Sequence, residues 1–423
     1  ADYFVSPEGS DSNPGTAEQP WQTIQKAADT LTAGEMVYIM AGTYAERVVP
    51  KNSGSAGSYI VYAAYPGDTV TIDGSTLSVP SNDGLLYISE KSYIKISGLK
   101  IANAGPTINS CAIFVEDASY ITLENNHTYN TVSSGIGVWD SSNIIIDGNE
   151  VELACNNGEQ ECISIGGTYA FEIMNNHVHD SGPGTIGGEG ICVKDGSYNG
   201  KVYNNHVHDL NNRLGIYIDA WDKHTYNIDV YRNIVHDIVN NDGFTLASET
   251  GGLLENIKIY NNIAYNNELN GITVSENGER FAKHPMQDIY ITNNTFYNNG
   301  RSNWGGGIIV ENPDAQDIIV RNNICSQNVF SQIQVEVTIA GLTIENNLID
   351  GYRDYETETY GSDYVEADPL FVNAAGADFH LQEHSPAIDA GAADDAPADD
   401  YDGNARPRGA GYDIGAFEFT GSD

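Results

Sequence analysis

The 423-residue chain carries 59 acidic against 19 basic residues, a formal net charge of -40, which disfavours nucleic acids and anionic membranes as partners. No apolar run approaches the length that spans a bilayer, and five cysteines without CxxC spacing argue against zinc sites and a dense disulfide framework. Gly is abundant at 44 residues and Pro modest at 14, which suits many short strands joined by turns. Such acidity fits a secreted protein in a salty medium, or one that binds divalent cations.

In chain order, Ala1 opens a polar, strand-like segment rather than a signal sequence and is read as the start of a mature, secreted form. From Trp21 to Leu31, residues Ile24, Ala27, Ala28 and Leu31 recur at helical spacing, predicting a short amphipathic cap over the first coil. Then a repeat takes over. Asn125-Asn126, Asn175-Asn176, Asn204-Asn205, Asn261-Asn262, Asn293-Asn294, Asn322-Asn323 and Asn346-Asn347, with Gly148-Asn149 and Arg232-Asn233 between them, return every 23 to 32 residues. That interval is one β-helical coil. An alternating strand precedes each pair, as at residues 120–123, 144–146 and 257–259, and stacked Asn side chains are expected to hydrogen-bond along the axis at the corner that follows. A second strand recurs at residues 112–115, 135–138, 162–165, 190–193, 215–218, 243–246, 271–274 and 307–310, with its branched residues inward. Cys111, Cys155, Cys162, Cys192 and Cys325 read mainly as buried filler of these stacks, although Cys155 and Cys162 are spaced to close one loop.

The expected fold is therefore all-β: a single-stranded right-handed parallel β-helix with an N-terminal capping helix and an irregular C-terminal cap. Residues 1–350 form the solenoid, and residues 351–423, rich in Asp and Ala, form a capping tail packed along it.

Residues 3–11 (Tyr-Phe-Val-Ser-Pro-Glu-Gly-Ser-Asp), Pro14-Gly15-Thr16, residues 20–24 and Gly42-Thr43-Tyr44 resemble the opening of bacterial pectate-lyase-like β-helix proteins, including the family 9 polysaccharide lyases. The tail, with residues 385–391, Asp402-Gly403, Arg406-Pro407 and residues 413–418, is similar to the end of many secreted members of that superfamily. The resemblance covers nearly the whole chain and implies the fold more strongly than the reaction, because hydrolases, lyases and epimerases share the scaffold. Family 9 lyases bind calcium with an Asp cluster and use a Lys base. Asn241-Asp242-Gly243-Phe244 followed by Gly251-Gly252 is similar to one of their coils, but the further Asp expected after that Gly is absent, so their metal site does not transfer intact. Neither the general polygalacturonase motifs nor the tetrad of alginate epimerases is evident.

In a chain so poor in cations, their positions carry weight. Lys194, Arg213, Lys223, Arg280 and Lys283 fall on or beside the outward face of the central coils, with Glu189, Asp195, Asp219, Asp222, His224, Asp242, Glu249 and Glu276. Trp139, Trp221 and Trp304 stand at strand ends on the same side, where flat rings stack on sugars, and Tyr217 lies within the densest stretch. Aligning Val193 with Ile218 puts Lys194 and Asp219 on neighbouring rungs. The bland alternative is a set of solvated rim charges in ordinary cross-rung pairs.

A lyase needs a uronate carboxylate neutralised, a base for the C5 proton and an acid for the leaving oxygen. Arg213, Arg280 or a calcium held by Asp195, Asp219 and Asp222 would meet the first need, and Lys194 or Lys223 the second; His224 is a candidate proton carrier. A hydrolase needs two carboxyls across the glycosidic oxygen, for which Asp219 with Glu249, or Glu189 with Asp242, are the pairs. A non-catalytic carbohydrate-binding solenoid would show aromatics without this convergent acid–base set. The reading is a secreted, monomeric polysaccharide-degrading enzyme, with lyase preferred to hydrolase and catalysis assigned to Lys194, Arg213, Asp219, Lys223 and Glu249.

Overall fold

A computed structural model describes residues 2–182, 186–301 and 304–421. The chain divides into two compact units, residues 1–193 and 194–423.

In residues 1–193 the cap forms as the spacing predicts. The helix Ile24–Thr30 is capped by Thr23, whose side chain accepts from the Lys26 N–H, and it buries Ile24, Ala27 and Ala28. The Glu46 carboxylate accepts the Ile24 and Gln25 N–H groups, at 2.9 Å each, placing negative charge at the positive helix end. Beyond it every coil contributes to three parallel faces. Ser119–Glu124, Ser142–Asp147 and Tyr169–Met174 pair on the first, and His127–Tyr129, Glu150–Glu152 and His177–His179 on the second. Ser110–Glu116, Ile136–Trp139 and Ile163–Gly166 make the third. Inward residues such as Ile121, Ile136, Val138 and Ile163 are fully buried. Each branched side chain so buried stabilises the coil by roughly 1.5–3 kcal/mol.

Residues 194–423 repeat the scheme. The first face holds Thr225–Tyr231, Leu254–Tyr260, Met286–Thr292 and Ala315–Arg321, and the second holds Ile234–His236, Ile263–Tyr265, Thr295–Tyr297, Ile324–Ser326 and Leu348–Asp350. Ile216–Asp219, Phe244–Ala247, Ile272–Val274, Ile308–Val310 and Ile333–Val335 form the third.

The two residues of each corner pair do different work. The first takes the left-handed conformation, with φ of 52° at Asn125, 53° at Asn261 and 58° at Asn322, which Asn tolerates better than most residues. The second is buried and extends the ladder. Asn233 Nδ2 donates to Asn262 Oδ1 at 3.0 Å, Asn262 Nδ2 to Asn294 Oδ1 at 3.0 Å, and Asn294 Nδ2 to Asn323 Oδ1 at 3.0 Å. Each amide also reaches a strand carbonyl, as Asn262 does to Val230 O at 2.8 Å. A further ladder, Asn267 to Asn299 to Asn328, runs at the next corner.

The outward members of the pairs hold the tail. Asn261 Nδ2 donates to Asp399 O at 2.7 Å, Asn293 Nδ2 to Asp413 O at 3.1 Å and Asn322 Nδ2 to Ala392 O at 2.8 Å. Arg232, the one non-Asn, non-Gly residue in that position, reaches the Asp399 carboxylate at 2.6 Å. Phe371, Phe379, Ala387, Ile414 and Phe417 pack on Ile263, Ile324 and Leu348 of the second face. The tail thus packs on coils of its own compact unit, residues 194–423. All five cysteines are buried free thiols. Among the described residues no helix is long and apolar enough to cross a membrane.

Candidate functional site

The third face of residues 194–423 carries the unusual electrostatics. Parallel register aligns Tyr217 with Thr245, Thr273, Ile309 and Gln334, and it aligns Ile218 with Leu246, Val274 and Val310. The outward position after that last column holds Asp219, Ala247, Ser275 and Glu311 in successive coils.

Asp219 is 1% exposed, and its Oδ1 accepts the backbone N–H of Trp221 at 2.8 Å and of Glu249 at 3.2 Å. Burial pushes its carboxyl up to about 7, helped by the Glu249 carboxylate and opposed by the two backbone donors and by Lys194. Lys194 is itself buried, and its ammonium lies 5.8 Å from the Trp221 ring centroid. Trp221 remains 42% exposed beside this pair. The Tyr217 hydroxyl donates to Glu249 Oε1. Lys194, Tyr217, Asp219, Trp221 and Glu249 are therefore brought together, as the register argument expects for Lys194 and Asp219.

The turn that carries Trp221 is shaped by Gly252. A Cβ there would lie 2.5 Å from the Lys223 nitrogen, and the Gly252 N–H donates to Trp221 O at 2.8 Å. The Gly251-Gly252 dipeptide thus lets one turn pass close over the previous one.

Beside this turn, Lys223 Nζ lies 3.3 Å from Asp195 Oδ2. Burial raises the Asp195 carboxyl, Lys223 opposes it, and the adjacent Asp222 raises it further. Asp195 Oδ1 is buried without a hydrogen-bond partner. An orphaned carboxylate oxygen next to a second carboxylate fits a hard cation such as calcium. Asp219 does not join them: its Oδ1 is committed to backbone donors, and the three carboxylates form none of the groups whose ligand atoms come within 4.8 Å of one another among the described residues.

A second carboxyl group lies further along. Asp242 Oδ2 accepts from Thr245 Oγ1 at 2.9 Å and its Oδ1 from the Asn270 N–H at 3.0 Å; burial raises its carboxyl against these donors. Glu311 is pushed up to about 7 by burial and by Asp242, Glu276 and Glu336. Sequence reasoning missed Glu311, Thr245, Asn270 and Glu336. Glu311 was findable, since it follows the 307–310 strand as Asp219 follows 215–218.

The other expected residues have contacts of their own. His224 stacks on Tyr226 at 4.2 Å and meets Glu255 Oε2 at 2.7 Å, which turns it toward the first face. Lys283 pairs with Asp314 at 2.9 Å with 85% of its side chain exposed, an ordinary rim pair. Glu276 and Arg280 are exposed in the loop after Ile272–Val274, where Arg280 sits over the Phe281 ring. Trp304 packs against Phe330 and Tyr355. Arg213 is half-buried just before Ile216–Asp219. Glu189 and Trp139 belong to residues 1–193. There the Trp139 ring covers Gly166 and lines a cavity of about 330 Å³ with Phe114, Glu116, Asn82 and Gln160.

Comparison with known proteins accords with this architecture. Residues 3–157 match the family described as "Pel9A-like, right handed beta helix region", residues 154–284 "Right handed beta helix region", and residues 254–341 "Disaggregatase related". The chain is 28% identical to YwoF of Bacillus subtilis over 91% of this chain and 92% of that protein. It is 35% identical to the pectate lyase PEL9 of Emericella nidulans over 159 residues, 34% of this chain and 38% of the lyase. Among solved structures, pectate lyase Pel9A superposes with a TM-score of 0.59 at 18% identity, covering 99% of this chain and 96% of that one. A lacto-N-biosidase from Eubacterium ramulus (14% identity; 82% and 68% covered) and a mannuronan C-5 epimerase module from Azotobacter vinelandii (15%; 82% and 93%) share the fold, each at a TM-score of 0.57.

Proposed function

We propose that this member of the pectate-lyase-like right-handed parallel β-helix superfamily is a secreted, monomeric enzyme that cleaves a uronic-acid polysaccharide by β-elimination on the third face of residues 194–423. The observation that carries the reading is the buried Lys194 ammonium set between Asp219 and the exposed Trp221 ring. Likeness to the pectate lyases supports the substrate class.

In this reading Trp221 stacks on a sugar and places its C5 beside Lys194, which takes the C5 proton in its neutral form. Asp219, too buried to meet the polymer, positions Lys194. Arg213 and Lys223 supply positive charge for the uronate carboxylate, which an enzyme of net charge -40 needs locally to overcome repulsion. Asp195 and Asp222 would hold calcium, which when bound adds to that positive charge. The Tyr217 hydroxyl, which donates its one hydrogen to Glu249 Oε1, turns from that partner to protonate the leaving oxygen as the glycosidic C–O bond breaks.

A second reading, hydrolysis, is favoured by one observation: Asp219 and Glu311 are both carboxyls held protonated toward neutrality beside other carboxylates. Incubation with polygalacturonate and alginate, in calcium and in chelator, separates the two. Elimination raises the ultraviolet absorbance of an unsaturated product, whereas reducing ends without absorbance would replace the lyase by the hydrolase. Full activity in chelator would remove calcium.

A further inference from the structure

The second face of residues 1–193 carries an outward set of side chains that the proposed reaction does not use. Glu150–Glu152 and His177–His179 alternate, as Glu-Val-Glu and His-Val-His, so the valines are buried and the ligand-type residues share the outer surface. Register sets Glu150 opposite His177 and Glu152 opposite His179 on the next rung. Glu150 reaches diagonally, its Oε1 lying 2.9 Å from His179 Nε2. The His177 and His179 rings stack at 4.1 Å.

We propose that Glu150, His177 and His179 form a binding site for a divalent transition-metal ion of the zinc class. One ligand atom from each residue lies within 4.8 Å of the others, so modest side-chain adjustment closes them around one ion. Two imidazoles and a carboxylate suit zinc, nickel or copper and disfavour calcium and magnesium, which take oxygen ligands. The surroundings are built as a metal-binding histidine requires. His179 Nδ1 lies 2.6 Å from the Asp180 carboxylate, which fixes the ring and turns Nε2 toward Glu150. Only 11% of the His179 side chain is exposed, whereas Glu150 shows 41%, leaving one side open to water. The neighbouring His127, Glu150 and Glu152 group competes for the same carboxylate, but it offers a single imidazole.

Equilibrium dialysis of the chelator-stripped full chain against Zn²⁺, with Ca²⁺ in large excess, tests the site. A single zinc should be retained at micromolar free metal and should raise the melting temperature. Retention should be lost in His179→Ala and Glu150→Gln, weakened about 10–100-fold in Asp180→Asn, and unchanged in His127→Ala. Far-UV circular dichroism without metal checks each fold; if His179→Ala does not fold, the more exposed His177→Gln takes its place. Absence of bound zinc, displacement by calcium, retention in the His179 or His177 variant, or loss in His127→Ala with Glu150→Gln unaffected would overturn the proposal.

Discussion

At the corner of residues 194–423, Asn262 uses its whole amide: Oδ1 accepts from the Asn233 N–H and Nδ2, and Nδ2 donates to Val230 O and Asn294 Oδ1. On the third face of the same unit, Asp195 Oδ1 and Thr250 Oγ1 are buried with no partner, and Asp219 and Glu311 keep protons toward neutral pH. Both regions bury polar atoms on adjacent rungs of one scaffold. The corner satisfies them and so specifies register; the third face leaves proton affinity and lone pairs in hand, which is what a reacting surface needs. Stability and chemistry are thus expected to separate by position around the coil.

The largest effect expected from that separation is on turnover. Lys194→Met removes the ammonium but keeps an apolar stem to pack by Trp221. Product formation on the cleaved polymer should fall by about 10²–10⁴-fold, the range of a lost general base, with the urea midpoint moving little. Wild-type turnover would mean that the base lies elsewhere on this face.

Asn262→Ala should do the opposite. It leaves the Asn233 N–H and one Asn233 Nδ2 hydrogen without Asn262 Oδ1 and takes a donor from Val230 O, while Asn294 Oδ1 keeps the Asn262 N–H; at about 1–3 kcal/mol for a buried unsatisfied group the total should reach about 3 kcal/mol. The urea midpoint should drop accordingly, while turnover per folded molecule is unchanged. Loss of turnover without loss of stability would erase the distinction between the regions.

The corner was legible in the sequence because the repeat is strict: the inward member of each pair must stack on the next, so the spacing reveals the ladder. Its outward member was not legible as a docking group, since the tail that it holds has no periodicity. Only the structure matches Asn261 with Asp399 or Arg232 with Asp400. On the third face, strand register was enough to bring Lys194 to Asp219. Register ends with the strand, so the places of Arg280 and Lys283, exposed in the loop beyond Ile272–Val274, were not readable. It also conveys no burial, so neither the proton affinity of Asp219 nor that of Glu311 was readable.

Asp219 itself offers the smallest and most discriminating test. Its folded carboxyl titrates near 7 against an ordinary 3.8, so its contribution to stability is fully present below pH 3.8 and is lost as pH rises through 7. Complete conversion of that difference sets a ceiling of about 4 kcal/mol, and solvent relaxation around a real buried group leaves roughly half. Asp219→Asn keeps an oxygen for the Trp221 and Glu249 N–H groups but cannot ionise. Relative to wild type, the variant should therefore gain about 2 kcal/mol between pH 4 and pH 8 in urea unfolding, while its turnover falls because Lys194 loses its positioning partner. A stability difference flat across that range would mean that folding imposes no penalty on the ionised carboxylate, and the third face would then be as fully compensated as the corner.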